Sequence, residues 1–274
     1  MKLTDKTHWS QEWDLIELNE VERRASPRPP NLFSSYKEYL FWDVLFDRYI
    51  PKVDEATALE IGSAPGDLLV RLRERYGYTP YGIEWTQRGV VLNRQLFQLH
   101  NIAPDNVISA DFLSEEIQQA YKDRFDLVIS NGFIEHFDKP RDIVNKHLNL
   151  LKKDGLLIVI IPNMSGANGL VRQFHSATKA ASNFDIMRLN EFIKLFDEKS
   201  LNRLFCGYYG TFDAAWTFPV PVVKTLLRLT TQPIFNVAFR AVLGQKGWES
   251  WLFSPHLVYI GIKRETYSKL HGSA

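Results

Sequence analysis

The sequence predicts an α/β fold with a doubly wound, mostly parallel sheet of seven strands. Short apolar runs of strand length alternate with segments in which apolar residues recur at helical spacing. Such alternation requires right-handed crossovers that place helices on both faces of a parallel sheet. The 274 residues suffice for one or two domains, and a hydrophobic content of 45% with 24% charged residues is typical of a folded protein.

Charge and cysteine content exclude several classes of protein. A net charge of +1 gives the whole chain no attraction to nucleic acid or to an anionic membrane. The single cysteine, Cys206, excludes a disulfide framework and a zinc site built from several thiolates. The first residues lack the apolar run of a signal peptide, and no stretch approaches the roughly 18 apolar residues of a membrane span. We therefore expect a cytoplasmic protein.

Residues 1–51 are predicted to form an N-terminal arm and one helix. Residues 1–35 mix polar and aromatic positions and include a proline-rich stretch, 27–30, that cannot continue a helix. From Tyr36 the apolar residues recur at helical spacing until Pro51. An amphipathic helix is therefore expected directly before the main domain.

Residues 52–163 are predicted to be the α/β core. Five apolar runs predict its strands, at 57–61, 81–84, 107–109, 125–130 and 156–161. Helical stripes separate them, one through Leu68–Tyr76 and one through Val91–Leu99. Residues 164–274 are predicted to cover the acceptor as an aromatic and helical insertion. They also complete the sheet, with a β-like stretch at 205–212 and a last strand at 257–262.

The first strand leads into a turn of small residues, Gly62-Ser63-Ala64-Pro65-Gly66, and then into a helix. Small residues let a ligand approach the backbone, and the N-terminus of the following helix favours negative charge. The turn lacks the complete G-x-G-x-x-G dinucleotide fingerprint, and no Gly-Lys-Ser/Thr follows to make a phosphate loop. A nucleotide-like ligand of another kind is therefore predicted.

Polar residues end the next three strands. Glu84 follows Gly66 by 18 residues, at the end of the second strand, where a carboxylate can accept hydrogen bonds from both hydroxyls of a ribose. Asp111 follows the third strand, and Asn131 ends the fourth. Ligands of open α/β sheets bind outside the carboxyl ends of the strands, so these residues are expected in one site.

With these motifs in this order, residues 53–163 resemble the Rossmann-like class I S-adenosylmethionine-dependent methyltransferases. The resemblance implies that Glu84 holds the ribose and that Trp85, Asp111 and Phe112 border the adenine. Ala64 stands where many members carry glycine, but alanine is still small. The full implied S-adenosyl-L-methionine site consists of Glu60, Gly62, Ser63, Ala64, Gly66, Glu84, Trp85, Asp111, Phe112 and Asn131.

His136 is the candidate catalytic residue. Methyl transfer from a sulfonium depends mainly on alignment of the acceptor, and a base is needed when the acceptor is a hydroxyl. His136 lies just beyond the fourth strand, and an imidazole titrates near neutral pH. A structural or cofactor-side histidine is the alternative, and His175 and His256 are weaker candidates. No cluster of His, Asp and Glu has metal-ligand spacing, so no metal is predicted.

The composition of residues 214–248 indicates what kind of methyl acceptor the protein could use. They contain four basic residues and no acidic one, and five apolar residues share a helical face: Ile234, Phe235, Ala238, Phe239 and Val242. Such a segment can rest on a membrane surface and admit a lipid-linked acceptor. The alternative is an apolar face that packs on the sheet or on a second subunit.

The preferred function is S-adenosylmethionine-dependent O-methylation of a small-molecule, sugar or lipid-linked acceptor. A nucleic-acid methyltransferase is an alternative. It is disfavoured because RNA ribose methyltransferases place a catalytic aspartate where this chain has Asn131, and because the net charge is only +1. A non-catalytic S-adenosylmethionine-binding module, regulatory or scaffolding, is a second alternative. The sequence leaves the oligomeric state open.

Overall fold

A seven-stranded sheet forms the centre of the protein. The computed structural model describes residues 6–26, 35–167, 169, 182–213, 225–227 and 229–264. The strands are β1 Thr57–Ile61, β2 Thr79–Glu84, β3 Val107–Ser109, β4 Phe125–Asn131, β5 Leu151–Pro162, β6 Leu201–Tyr209 and β7 His256–Lys263. Their order is β3-β2-β1-β4-β5-β7-β6, which confirms the predicted doubly wound sheet of seven strands.

Strands β1 to β5 run parallel, and β7 lies antiparallel between β5 and β6. Ile61 at the end of β1 pairs with Ile83 on one side and Ser130 on the other, so these strands end at a common edge. Strand β6 covers 201–209 rather than the predicted 205–212. Its register against β7 shifts between Arg203 and Phe205, which interrupts the simple alternation that the sequence pattern relied on.

Helices cover both faces of the sheet. Residues Leu40–Phe46 form a π-helix, so the helix predicted from Tyr36 is a short α-helix, a π-helical stretch and a final α-helical turn. The α-helices are α1 Lys6–Asp14, α2 Leu18–Ala25, α3 Tyr36–Tyr39, α4 Asp47–Tyr49, α5 Asp67–Tyr76, α6 Gln87–Leu99, α7 Glu115–Ala120, α8 Pro140–Leu150, α9 Leu189–Phe192 and α10 Thr231–Leu243.

The two helices that follow β1 and β2 begin at defined caps. Gly66 precedes α5 with φ +100°, and Gly77 ends it with φ +85°, conformations that favour glycine. Thr86 caps α6, because its side chain accepts a hydrogen bond from the backbone N–H of Gly89. Both helices therefore start directly above the ends of their strands, at the predicted site.

Two apolar clusters fill the space between the sheet and its helices. One contains Val21, Ala25 and Phe46 of the N-terminal arm together with residues of β1, β4, β5 and β7. The other packs α8 and residues 186–201 on the opposite face. The arm and the last segment thus share the core with the sheet, and the division at residues 51 and 163 stays a prediction. None of the helices in the described ranges is long and apolar enough to cross a membrane.

Candidate functional site

The candidate site lies at the carboxyl edge of β1 to β4. The chain reverses its direction of winding between the neighbouring strands β1 and β4, and open α/β sheets bind ligands at such a point. The turn after β1 enters this edge with Gly62 at φ +71°. A Cβ atom on Gly62 would lie 2.8 Å from the ring of Phe133, so a side chain there would intrude on the site.

A cleft of about 460 Å³, including its mouth, opens at this edge. Aromatic rings form most of its walls. Asp111 and His136 are the only ionisable side chains among the described residues that line it. The lining residues are Trp9, Gly62, Ile83, Trp85, Ala110, Asp111, Phe112, Phe133, His136 and Phe137.

The predicted site residues divide into two groups. Those at the cleft wall are Gly62, Trp85, Asp111, Phe112 and His136. Those that do not line it are Glu60, Ser63, Ala64, Gly66, Glu84 and Asn131. The Ser63 hydroxyl accepts a hydrogen bond from the Asn93 amide at 2.7 Å, while Asn131 is exposed at the end of β4. His256 packs beside Phe41, and His175 lies outside the described residues.

Glu84 is buried and held in one orientation. Its Oε1 atom accepts hydrogen bonds from the N–H of Thr86 at 2.8 Å and from the Thr86 hydroxyl at 2.7 Å. Its Oε2 atom accepts a longer one, 3.4 Å, from the N–H of Ala64. A carboxylate has about four acceptor positions, so Glu84 keeps capacity for a hydroxyl donor.

Glu60 and Glu84 are buried, and the half-buried Asp67 lies near Glu60, so the three carboxyls form an acidic cluster. Burial raises the pKa of Glu60 well above its usual range, and the nearby charges of Asp67 and Glu84 raise it further. Burial likewise raises the pKa of Asp67. The Oε2 atom of Glu60 is buried with no hydrogen-bond partner in the described part of the chain. A cation placed here would stabilise the charged carboxylates.

His136 follows β4 in a single 3₁₀ turn, Ile134–His136. Its side chain is 15% exposed, and its Nε2 atom lies 3.8 Å from Oε1 of Glu135. Glu135 is 1% exposed, and its Oε2 atom has no hydrogen-bond partner among the described residues. Burial raises the pKa of Glu135 to about 8. A titratable pair therefore lies at the cleft, with its imidazole on the cleft wall.

Sequence reasoning missed Trp9, which the arm brings over the cleft. The Trp9 ring meets the His136 ring edge to face, with centroids 4.9 Å apart. Helix α1 is tied to α6 by an ion pair of 3.6 Å between Asp14 and Arg88. The available signal was the spacing of Trp9 and Trp13 at i and i+4, which places two large rings on one side of a helix.

Sequence reasoning also missed the burial of Glu135. Its neighbour His136 was the residue singled out, and a glutamate is usually expected at the surface. No group of His, Cys, Asp or Glu in the described ranges could hold a metal ion.

These features fit S-adenosylmethionine. Its ammonium and sulfonium groups are cations that suit the acidic cluster, and its ribose hydroxyls suit the remaining capacity of Glu84. Gly62 has no side chain to fill the cleft, and the aromatic walls suit an adenine ring. The individual contacts remain those that the sequence resemblance implies.

The solved structures with the same fold are distant in sequence. Geranyl diphosphate C-methyltransferase from Streptomyces coelicolor A3(2) has 13% identity, a TM-score of 0.58, and covers 95% of this chain and 98% of its own. YcgJ from Bacillus subtilis has 17% identity and a TM-score of 0.52 over 83% of this chain and 99% of its own. The [4+2]-cyclase SpnF has 12% identity and a TM-score of 0.58 over 95% of this chain and 97% of its own.

A family model for a methyltransferase domain matches residues 12–208, which is most of the chain and includes every predicted cofactor residue. No curated protein sequence matches this chain. The structural neighbours show the fold, and the family model ties that fold and the cleft at its carboxyl edge to a reaction class. The chain therefore belongs to the methyltransferase domain family and is an S-adenosylmethionine-dependent methyltransferase.

Proposed function

We propose that the protein methylates a hydroxyl group of a small or lipid-linked acceptor, a sugar among the candidates, and that His136 removes the hydroxyl proton. The observation that carries this proposal is the position of the His136 imidazole on the cleft wall. Asp111, the other ionisable lining residue, follows β3, and its Oδ1 atom already accepts a hydrogen bond of 3.0 Å from the N–H of Leu113. His136 is therefore the better placed base.

Glu135 supports the role of His136 as a base. With a pKa of about 8, Glu135 is mostly protonated at neutral pH. A protonated Glu135 carboxyl places no negative charge beside the imidazole, so it adds no electrostatic stabilisation of an imidazolium. Methyl transfer to an amine or a carbon atom would depend more on alignment of the acceptor with the methyl group and less on a base.

The aromatic walls favour an acceptor with an apolar face. Phe133, Phe137 and Trp9 present rings near His136, and such rings pack against sugar ring faces or prenyl chains. The structural neighbour from Streptomyces coelicolor, a C-methyltransferase, is crystallised with geranyl diphosphate. SpnF, a cyclase, has the same fold, so the acceptor has to be argued from the cleft.

The roles in the site divide between binding and proton transfer. S-adenosylmethionine supplies the activated methyl group when bound. Glu60, Asp67 and Glu84 would hold its charged and ribose portions, and Trp9 would exclude water from the cleft. His136 would accept the proton on a ring nitrogen as the acceptor oxygen becomes nucleophilic.

Single-turnover methyl transfer to a panel of hydroxyl acceptors, including sugars and lipid-linked sugars, tests the proposal. His136→Asn is expected to lower the chemical rate by about 10²- to 10⁴-fold while cofactor affinity, measured by calorimetry, stays unchanged. His100→Asn is the matched control, because His100 pairs with Glu74 at the other end of α6. Equal rates in His136→Asn and the wild type would contradict the base assignment, and methyl transfer to RNA alone would contradict the acceptor class.

A further inference from the structure

Exposed apolar side chains concentrate in the C-terminal part of the protein. Among the described residues, eight of the eleven exposed large apolar side chains lie between 226 and 252. We define the apolar surface by six of them, which are Leu229, Ile234, Val242, Trp248, Trp251 and Leu252. So many exposed large apolar side chains within one short segment favour an interaction site over scattered surface residues.

The inward face of helix α10 combines two polar residues with Phe239 and Leu243, which pack against the core. Gln232 and Asn236 are buried, at 8% and 4% exposure, whereas Ile234 and Val242 are 69% and 81% exposed. The Oδ1 atom of Asn236 accepts hydrogen bonds from the Tyr36 N–H at 3.2 Å and from the Gln232 amide at 3.0 Å. The inward face is therefore fixed by specific hydrogen bonds to the start of α3, and the apolar face is left to a partner.

The loop after α10 also exposes aromatic rings, and hydrogen bonds hold its backbone in place. The side-chain amide of Asn163, which is fully buried, donates to the carbonyl oxygens of Trp251 at 3.0 Å and of Ser254 at 2.7 Å. Trp251 itself is nevertheless 58% exposed, and Leu252 is 41% exposed. Because these hydrogen bonds hold its backbone in place, the structure of the loop itself keeps the Trp251 side chain exposed.

Charge indicates which partner this surface fits. The stretch 214–248 has four basic residues and no acidic one, and the first acidic residue after it is Glu249. Lys246 is exposed and the Arg240 guanidinium lies over the ring of Tyr39, while Lys224 and Arg228 lie outside the described residues. A helix with an apolar outer face, nearby bases and tryptophans is typical of proteins that rest in the interface of an anionic bilayer. A second copy of this chain would bring the same positive charge to the contact, which disfavours a self-association.

The position of the loop relates the surface to the cleft. Asn163 directly follows β5, and β5 pairs in parallel with β4, whose carboxyl end leads to His136. Trp251 and the cleft are therefore at the same edge of the sheet. We propose that the apolar surface docks the protein on an anionic lipid bilayer, so that the carboxyl edge of the sheet works at the membrane surface.

Co-sedimentation with vesicles tests this inference, using phosphatidylcholine alone and phosphatidylcholine mixed with phosphatidylglycerol. The full chain is expected to bind the mixed vesicles more tightly, and less so as salt is raised. The double substitution Ile234→Glu with Val242→Glu should weaken binding by about tenfold or more, because it removes two exposed apolar contacts. Lys246→Gln should weaken it by about fivefold, as expected for one base near an anionic surface.

Leu99→Glu is the matched control, because Leu99 is 51% exposed on α6, outside the apolar surface. It should bind vesicles like the wild type, and calorimetry with S-adenosylmethionine should show that every variant keeps the cofactor site. Absence of wild-type binding to the mixed vesicles, or equal binding by the double variant, would overturn the inference. A wild-type dimer that the double variant converts to a monomer, without lipid binding, would assign the surface to a second copy. The vesicle assay needs neither methyl donor nor acceptor, so a negative result there does not contradict the proposed O-methylation. Failure of the methyl-transfer assay likewise does not contradict membrane docking.

Discussion

Replacing Glu135 by glutamine should change the pH dependence of stability. The folded protein raises the pKa of this buried carboxyl from 4.5 to about 8. The stabilising contribution of protonated Glu135 is therefore fully present below pH 4.5 and is lost as the pH rises through 8. One pH unit corresponds to about 1.4 kcal/mol, so the free energy of unfolding should fall by at most about 5 kcal/mol across this window. Glu135→Gln cannot ionise and should remove that fall.

Urea unfolding at a series of pH values measures the effect directly. The difference in unfolding free energy between Glu135→Gln and the wild type should grow with pH between about 5 and 8 and then level off. A constant offset is expected in addition, because the amide brings its own unsatisfied groups into a buried position. Glu191→Gln, at an exposed residue of α9, is the control for replacing a surface carboxylate by an amide. A pH-independent difference for Glu135→Gln would refute the raised pKa.

Two further predictions concern cofactor binding. The raised pKa of Glu60 means that binding of a cation to the acidic cluster should release protons, so affinity should rise with pH below that pKa. Glu60→Gln should reduce the number released, and Asp67, whose pKa is also raised, can supply the remainder. Calorimetry in buffers of different ionisation enthalpy counts the protons, and an equal count in both proteins would refute this coupling. Trp9→Ala should weaken S-adenosylmethionine binding by about two- to tenfold, the range expected for loss of an aromatic contact. Trp248→Ala, at an exposed tryptophan that does not line the cleft, is its control in the same titration, and unchanged affinity in Trp9→Ala would remove the arm from the site.

The edge of the sheet where the site lies could be predicted from the sequence because it follows from local rules. Strand length, the small-residue turn and the residues after each strand are all encoded within a few positions of one another. Once the strands are parallel, their carboxyl ends share an edge, so Glu84, Asp111 and His136 all follow strands that end there, and Asp111 and His136 line the cleft. The same local rules misplaced β6, where a register shift between Arg203 and Phe205 breaks the alternating pattern.

Trp9 and Glu135 could not be predicted in this way because their roles depend on distant contacts. Trp9 reaches the ring of His136 across more than a hundred residues of sequence, and no short pattern encodes that approach. The environment of Glu135 is likewise tertiary, since its backbone carbonyl accepts a hydrogen bond from the N–H of Asn183, in the segment after the predicted core. Burial by such segments converts an ordinary glutamate into a group that titrates near pH 8.

Helix α10 shows how the same apolar pattern can fit opposite orientations. The sequence predicts an apolar face through Ile234 and Val242, and burial of that face was the alternative to a membrane contact. The structure divides that face. Phe239 packs against the core, whereas Ile234 and Val242 are exposed, and buried Asn236 accepts a hydrogen bond from the N–H of Tyr36 at the buried start of α3. Rotating the helix to bury Ile234 would leave that N–H and two amides without these partners, each at a cost of about 1–3 kcal/mol if they stayed buried. Polar contacts to the N-terminal arm therefore determine which face of α10 meets the surroundings.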